Sequence, residues 1–178
     1  EAYTSRHQKN PISDNLARQA LVLLSSNIRT AVKEGTDRGA REAMLLGACM
    51  AGQAFANAPV GAVHALAYPL GGVFHIPHGL SNSLMLPPVL RYNADAAEPL
   101  YAELAGHLGL HASTDGLVTE MERIADAVGV ETRLSQLGIR DTDLPRLARE
   151  AMEVKRLLVN NPREMTLDAA LACYEAVL

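Results

Sequence analysis

From Ala43 to Leu90 the chain runs for 48 consecutive residues without an Asp, Glu, Lys or Arg. A soluble surface does not tolerate such a run, so the segment either spans a membrane or lies inside a protein. A membrane span needs about 20 predominantly apolar residues, and this stretch fails on content. Gln53, Asn57, His64, His75, His78, Ser81, Asn82 and Ser83 interrupt it, and Pro59, Pro69, Pro77, Pro87 and Pro88 punctuate it. Much of the remainder is Ala and Gly rather than Leu, Ile or Val. The segment therefore reads as the buried heart of a helical protein, where small side chains let helices approach closely.

Periodicity on either side agrees. Asn10-Pro11 punctuates an N-terminal stub, after which Ser13 can cap a helix. Leu16, Ala20, Leu24, Ile28 and Ala31 recur at helical spacing, and Gly35 follows the last turn. A second helix starts near Asp37 and is apolar nearly all round from AMLLGACMAGQAFANA onward, the pattern of a central helix, until Pro59. Residues 60–70 form a short third helix. The Gly71-Gly72 pair then frees the backbone to turn, and IPHGLSN begins a fourth helix that Pro87-Pro88 kink or end. Further helices are expected over 96–108 with Asp95 as cap, 115–128 closed by Gly129, and 131–137 closed by Gly138. Another runs from Pro145 to about Leu158, and Thr166 caps a terminal helix beyond the Asn160-Asn161-Pro162 break. No stretch alternates β-branched and polar residues, so strands are few or absent. The expected fold is all-α, one compact helical domain over residues 1–178.

Several functions are excluded or disfavoured. A net charge of −4 leaves no clustered Lys and Arg for a phosphate backbone, which argues against nucleic acid. Cys49 and Cys173 lie far apart on apolar helical faces and read as free core thiols in a reducing compartment. The opening EAYTSRHQKN has no apolar core of a signal peptide, so a cytoplasmic location is expected.

The chemistry sits in HALAYPLGGVFHIPHG, which holds three of the six histidines. His64 and His78 are separated by a helix end, a Gly-Gly turn and a helix start, an arrangement that can bring two imidazoles together. Neutral imidazoles are common ligands for zinc and similar divalent metals. Two histidines in apolar surroundings are, however, more often satisfied core groups or a pH-sensitive contact. A catalytic metal also normally takes three or more protein ligands, and the charge-free stretch contains no carboxylate. Either there is no metal or further ligands come from elsewhere. His7, His107 and His111 sit in polar or amphipathic contexts and read as surface residues.

The words around these histidines go further than their spacing. GAVHALAYPLGGVFHIPHGLSNSLMLPPVLRYN resembles the metal-site region of the iron-containing (group III) alcohol dehydrogenases, in which H-x-x-x-[HY]-x-L-G-G precedes P-H-G-x-x-N. NPISDNLARQAL, AREAMLLGACMAGQAFANA and NNPREMT extend the resemblance over essentially the whole chain. It implies a C-terminal helical domain of a longer enzyme whose N-terminal α/β domain binds NAD(P), with Fe(II) or Zn as the metal. It implies His64 and His78 as metal ligands and Phe55 as an aromatic lining the substrate pocket. Tyr68 stands where many members carry a His thought to relay the alcohol proton. EAYTS resembles the stretch directly after a helix bearing D-x-x-x-H, whose Asp and His are the other two ligands, so half the metal shell is expected outside this chain. An alcohol or aldehyde substrate and a homo-oligomer follow, and residues 1–178 alone are expected to be inactive. The alternatives are a keto-acid reductase of the same superfamily, resembling maleylacetate reductase, and a non-catalytic helical interaction module.

Overall fold

A computed structural model describes all of residues 1–178 as helices and turns with no strand. Eight α-helices follow in order. They are α1 (Pro11–Lys33), α2 (Arg38–Asn57), α3 (Ala62–Phe74), α4 (His78–His107), α5 (Thr114–Val128), α6 (Leu144–Met152), α7 (Lys155–Leu158) and α8 (Leu167–Glu175), with three short 3₁₀ turns. No single helix is long and apolar enough to cross a membrane, and α2 and α3 meet at a bend of 108°.

Local chemistry sets most boundaries. Asn10 rather than Ser13 caps α1: its side chain accepts from the Ile12 and Ser13 N–H groups, while Ser13 Oγ accepts from the Asn10 N–H in return. Asp37 caps α2, Ser113 caps α5 and Thr166 caps α8, each accepting an N–H from the first turn. Gly129 and Gly138 close their elements with φ of 74° and 79°, a conformation only Gly adopts without cost.

Several boundaries depart from the sequence reading: the helix expected from Pro145 to about Leu158 breaks after Met152 into α6 and α7, residues 131–137 yield only a 3₁₀ turn at Leu134–Leu137, and a glycine pair and several prolines fail to interrupt their helices. The Gly71-Gly72 pair does not turn the chain: α3 continues through it to Phe74, and His75 makes the left-handed turn at φ 57°. A mid-helix Gly costs only about 1 kcal/mol relative to Ala, less than burying the apolar face of the extended helix returns. Likewise Pro87-Pro88 and Pro99 do not divide α4, which runs 30 residues to His107. The prolines remove ladder bonds, yet Leu84, Met85, Val89, Leu90, Ala97, Tyr101 and Leu104 are buried along its whole length. Tertiary packing on both halves holds one rod.

The main core lies between α3, α4, α6 and α8 and centres on Leu66, Leu70, Met85, Leu147 and Tyr174. A smaller cluster joins Tyr3, the second half of α4, and Leu117 and Val118 of α5. Against expectation, α2 is not central. It pairs with α1 as a hairpin at the edge and buries only Ala40, Gly47 and Ala54, leaving Leu45 75 % and Leu46 55 % exposed. Gly47 is a point of close approach, where a Cβ would sit 2.9 Å from Leu24.

The edge position of α2 also corrects the reading of the cysteines: Cys49 is exposed, and only Cys173 is a core thiol. Burial pushes the Cys173 thiol up to about 11, so little thiolate exists there at neutral pH. A thiol reagent is expected to modify Cys49 alone in the folded chain and both cysteines after unfolding. Two thiols reacting at equal rates under native conditions would contradict this packing.

Candidate metal centre

The charge-free segment folds back on itself so that the first turn of α3 faces the first turn of α4. His64 and His78 come together there, with ring centroids 5.3 Å apart and planes inclined by 54°. His64 is a quarter exposed and His78 more so, on an open face rather than deep in the core. His75 is exposed and serves as the turn residue of α3.

The start of α3 has no local side-chain cap. Three of its four leading N–H groups, which no intrahelical carbonyl can satisfy, are met by side chains remote in sequence. Glu1 Oε1 accepts from the Gly61 N–H at 3.0 Å and the Val63 N–H at 2.7 Å. Asn161 Oδ1 accepts from the Ala62 N–H at 3.3 Å. The other carboxylate oxygen of Glu1, Oε2, is hydrogen-bonded to His64 Nδ1. The Glu1 side chain is only 12 % exposed. Burial alone would raise its carboxyl, but the His64 hydrogen bond, the imidazole and the Val63 N–H hold it below the usual carboxylate range.

His78 is supported from its own helix. Asn82, one turn on, places its Nδ2 3.0 Å from His78 Nε2 and 3.1 Å from the His78 carbonyl oxygen. The Asn82 Oδ1 is buried without a hydrogen-bond partner, a polar atom beside the imidazoles that a bound group would satisfy. Tyr68 lies one turn after His64, its ring centroid 6.4 Å from that of His78. Its hydroxyl accepts from Arg156 Nη2 at 3.3 Å, and the guanidinium sits 5.9 Å from the ring centroid.

Phe55, near the end of α2 and 49 % exposed, lines an apolar cavity of about 650 Å³ together with Glu1, His64 and Asn82. Leu21, Leu24 and Ile28 of α1 and Met121 and Ile124 of α5 form its far wall. The fold thus brings His64, His78 and Tyr68 to one face and joins Phe55 to His64 across the cavity. Sequence reasoning assigned no role to Glu1, Arg156 or Asn161, because their places depend on contacts across the chain.

The donor set that meets here is a pair of imidazoles. Two adjacent imidazoles suit a borderline divalent ion, but no third His, Cys, Asp or Glu is placed with them to close a shell. What these residues offer is two imidazole donors on one open face, short of the three or more ligands a catalytic metal normally takes.

Comparison with known proteins converges on one group. The sequence model described as "Fe-containing alcohol dehydrogenase family, C-terminal" matches residues 1–178. Long-chain-alcohol dehydrogenase 1 of Geobacillus thermodenitrificans is 40 % identical over 183 residues, covering 99 % of this chain and 46 % of its own length. The crystal structure of a 1,3-propanediol oxidoreductase superposes with a TM-score of 0.95 at 34 % identity, over 100 % of this chain and 48 % of that one. Sulfoacetaldehyde reductase from Bifidobacterium kashiwanohense, solved in complex with NAD+, superposes with a TM-score of 0.91 at 29 % identity, over 99 % and 46 %. The chain spans a little under half the length of these relatives.

Proposed function

Because this chain belongs to the Fe-containing alcohol dehydrogenase family, we propose that it is the metal-binding helical domain of a two-domain NAD(P)-dependent alcohol dehydrogenase. The observation that carries this reading is the meeting of His64 and His78 at 5.3 Å on an open face, within a chain whose whole length superposes on about half of a 1,3-propanediol oxidoreductase. His64 and His78 are two ligands of an Fe(II) or Zn ion. When bound, that ion supplies a Lewis acid that polarises the alcohol oxygen for hydride departure to the nicotinamide.

The chain's own residues do the rest. Phe55 presents an apolar surface to the carbon skeleton of the alcohol and excludes water from one side of the cavity. Tyr68 is the proton relay: its oxygen accepts from Arg156, which leaves its O–H free to donate outward. The exposed apolar stripe of α2, including Leu45 and Leu46, is a surface to be covered by the rest of the enzyme or by another subunit of a homo-oligomer. Two free cysteines suit a reducing, cytoplasmic setting.

The test is metal content and NAD(P)-linked oxidation of short alcohols and diols by the full-length protein. Equimolar iron or zinc and metal-dependent turnover are expected, whereas residues 1–178 alone are expected to turn over nothing. Full activity in metal-stripped protein would overturn the reading.

A further inference from the structure

We propose that Glu1 is a positioning residue of this metal centre: its carboxylate fixes His64 with the proton on Nδ1, so that Nε2 is the bare nitrogen offered to the ion. The inference rests on His64 being a ligand, as proposed above. Its basis is a single buried carboxylate whose two oxygens are both committed. Oε1 accepts from the backbone N–H groups of Gly61 and Val63, and Oε2 faces His64 Nδ1. An ionised carboxylate can only accept, so Nδ1 must be the donor and must carry the proton. In a neutral imidazole that leaves Nε2 unprotonated, the state a metal requires. His64 Nε2 has no hydrogen-bond partner within the chain, and the ring leans toward His78.

Geometry explains why this has to be a carboxylate. The start of α3 already demands an acceptor for two N–H groups, and the positive end of the helix favours a negative one. His64 sits in that same first turn, so one rigid group serves both the helix end and the ring. None of the residues from Ala43 to Leu90 offers an acid, and Glu1 reaches the site from 63 residues away. Partners of this kind fix the ring orientation and tautomer of metal-bound histidines, and losing one typically costs about 10- to 100-fold in metal affinity.

Glu1→Gln separates this role from simple capping. An amide has one accepting oxygen. If that oxygen stays with the Gly61 and Val63 N–H groups, the NH₂ is turned onto Nδ1, which must then become an acceptor and move the ring proton to Nε2. The helix end remains satisfied, but the ligand nitrogen is blocked.

The experiment uses the full-length protein with ¹⁵N-labelled histidine, His64 being assigned by its loss in His64→Ala. Metal-free wild type is expected to show His64 protonated at Nδ1, and Glu1→Gln to shift the proton to Nε2. Chelator competition is expected to weaken iron or zinc binding by about 10- to 100-fold in Glu1→Gln. Glu1→Asp keeps the charge, so it recovers part of that affinity and provides the measurement should the Gln variant not fold. Unchanged tautomer and unchanged affinity in Glu1→Gln overturn the proposal, as does a wild-type His64 already protonated at Nε2. If His64→Ala itself retains wild-type metal affinity, the reading of the site falls. If His64→Ala loses metal while Glu1→Gln matches wild type, only the positioning role falls.

Discussion

Replacing His64 with Ala in the full-length protein is expected to abolish stoichiometric metal and to cut kcat/KM for alcohol oxidation by about 100- to 1,000-fold, and His78→Ala to do the same. The size follows from what a Lewis acid supplies. Charge stabilisation by a bound ion is worth several kcal/mol in the transition state, and each 1.36 kcal/mol corresponds to tenfold in rate. Losing about 3–4 kcal/mol therefore gives the stated range. Each imidazole is one member of a shell that binds as a unit. The double variant is accordingly expected to be little worse than either single one.

Stability separates this from a structural loss. Neither histidine is fully buried, since His64 is 26 % exposed at its side chain and His78 is exposed. Truncation opens no closed cavity in the core formed by Leu66, Leu70 and Met85. Metal-free variants should thus melt close to metal-free wild type, while the stabilisation that added metal gives wild type disappears from the variants. Retention of metal and activity in both single variants would favour a non-catalytic helical module.

The pair itself was legible in the sequence because its signals are local. His64 and His78 sit in first turns bounded by Gly61 and Pro77, and the surrounding words match a known family. The all-α class was legible for a similar reason, since residues at helix starts such as Asp37 and Thr166 act on N–H groups three residues away. The central position expected for α2 was not realised. Its apolar pattern signals a surface to be covered, and it cannot say whether the cover lies within residues 1–178. The continuity of α4 was equally hidden: Pro87 and Pro88 are local breakers overridden by burial on both sides, and burial depends on partners remote along the chain. The supports of the site were invisible for the same cause. Glu1, Arg156 and Asn161 act across 60 or more residues, where no spacing rule operates.

Asn161→Ala is expected to destabilise the folded chain by about 3–5 kcal/mol, an unusual cost for a polar residue in a connecting loop. Asn161 and Asn93 are each 2 % exposed and exchange a reciprocal pair of side-chain hydrogen bonds at 2.7 and 3.0 Å. Asn161 Nδ2 also donates to the Arg163 carbonyl at 2.6 Å, and its Oδ1 accepts from the Ala62 N–H. One side chain thereby ties the break after α7, the middle of α4 and the start of α3. Truncation leaves the Asn93 amide and the Ala62 N–H buried without these partners, at about 1–3 kcal/mol each. Tight packing limits relief by movement: a Cβ on Gly61 would lie 3.2 Å from the Asn161 Cα, so α3 already rests on this loop. Denaturant unfolding of residues 1–178 measures the loss. Adding Asn93→Leu to Asn161→Leu is expected to recover part of it, because removing both members of a buried pair orphans less than removing one. A cost below about 1 kcal/mol for Asn161→Ala would mean that water replaces its bonds, and that the first turn of α3 is seated by Glu1 alone. At the expected cost, the loop holds the helix end that carries His64, and metal affinity should fall in Asn161→Ala although every ligand is intact.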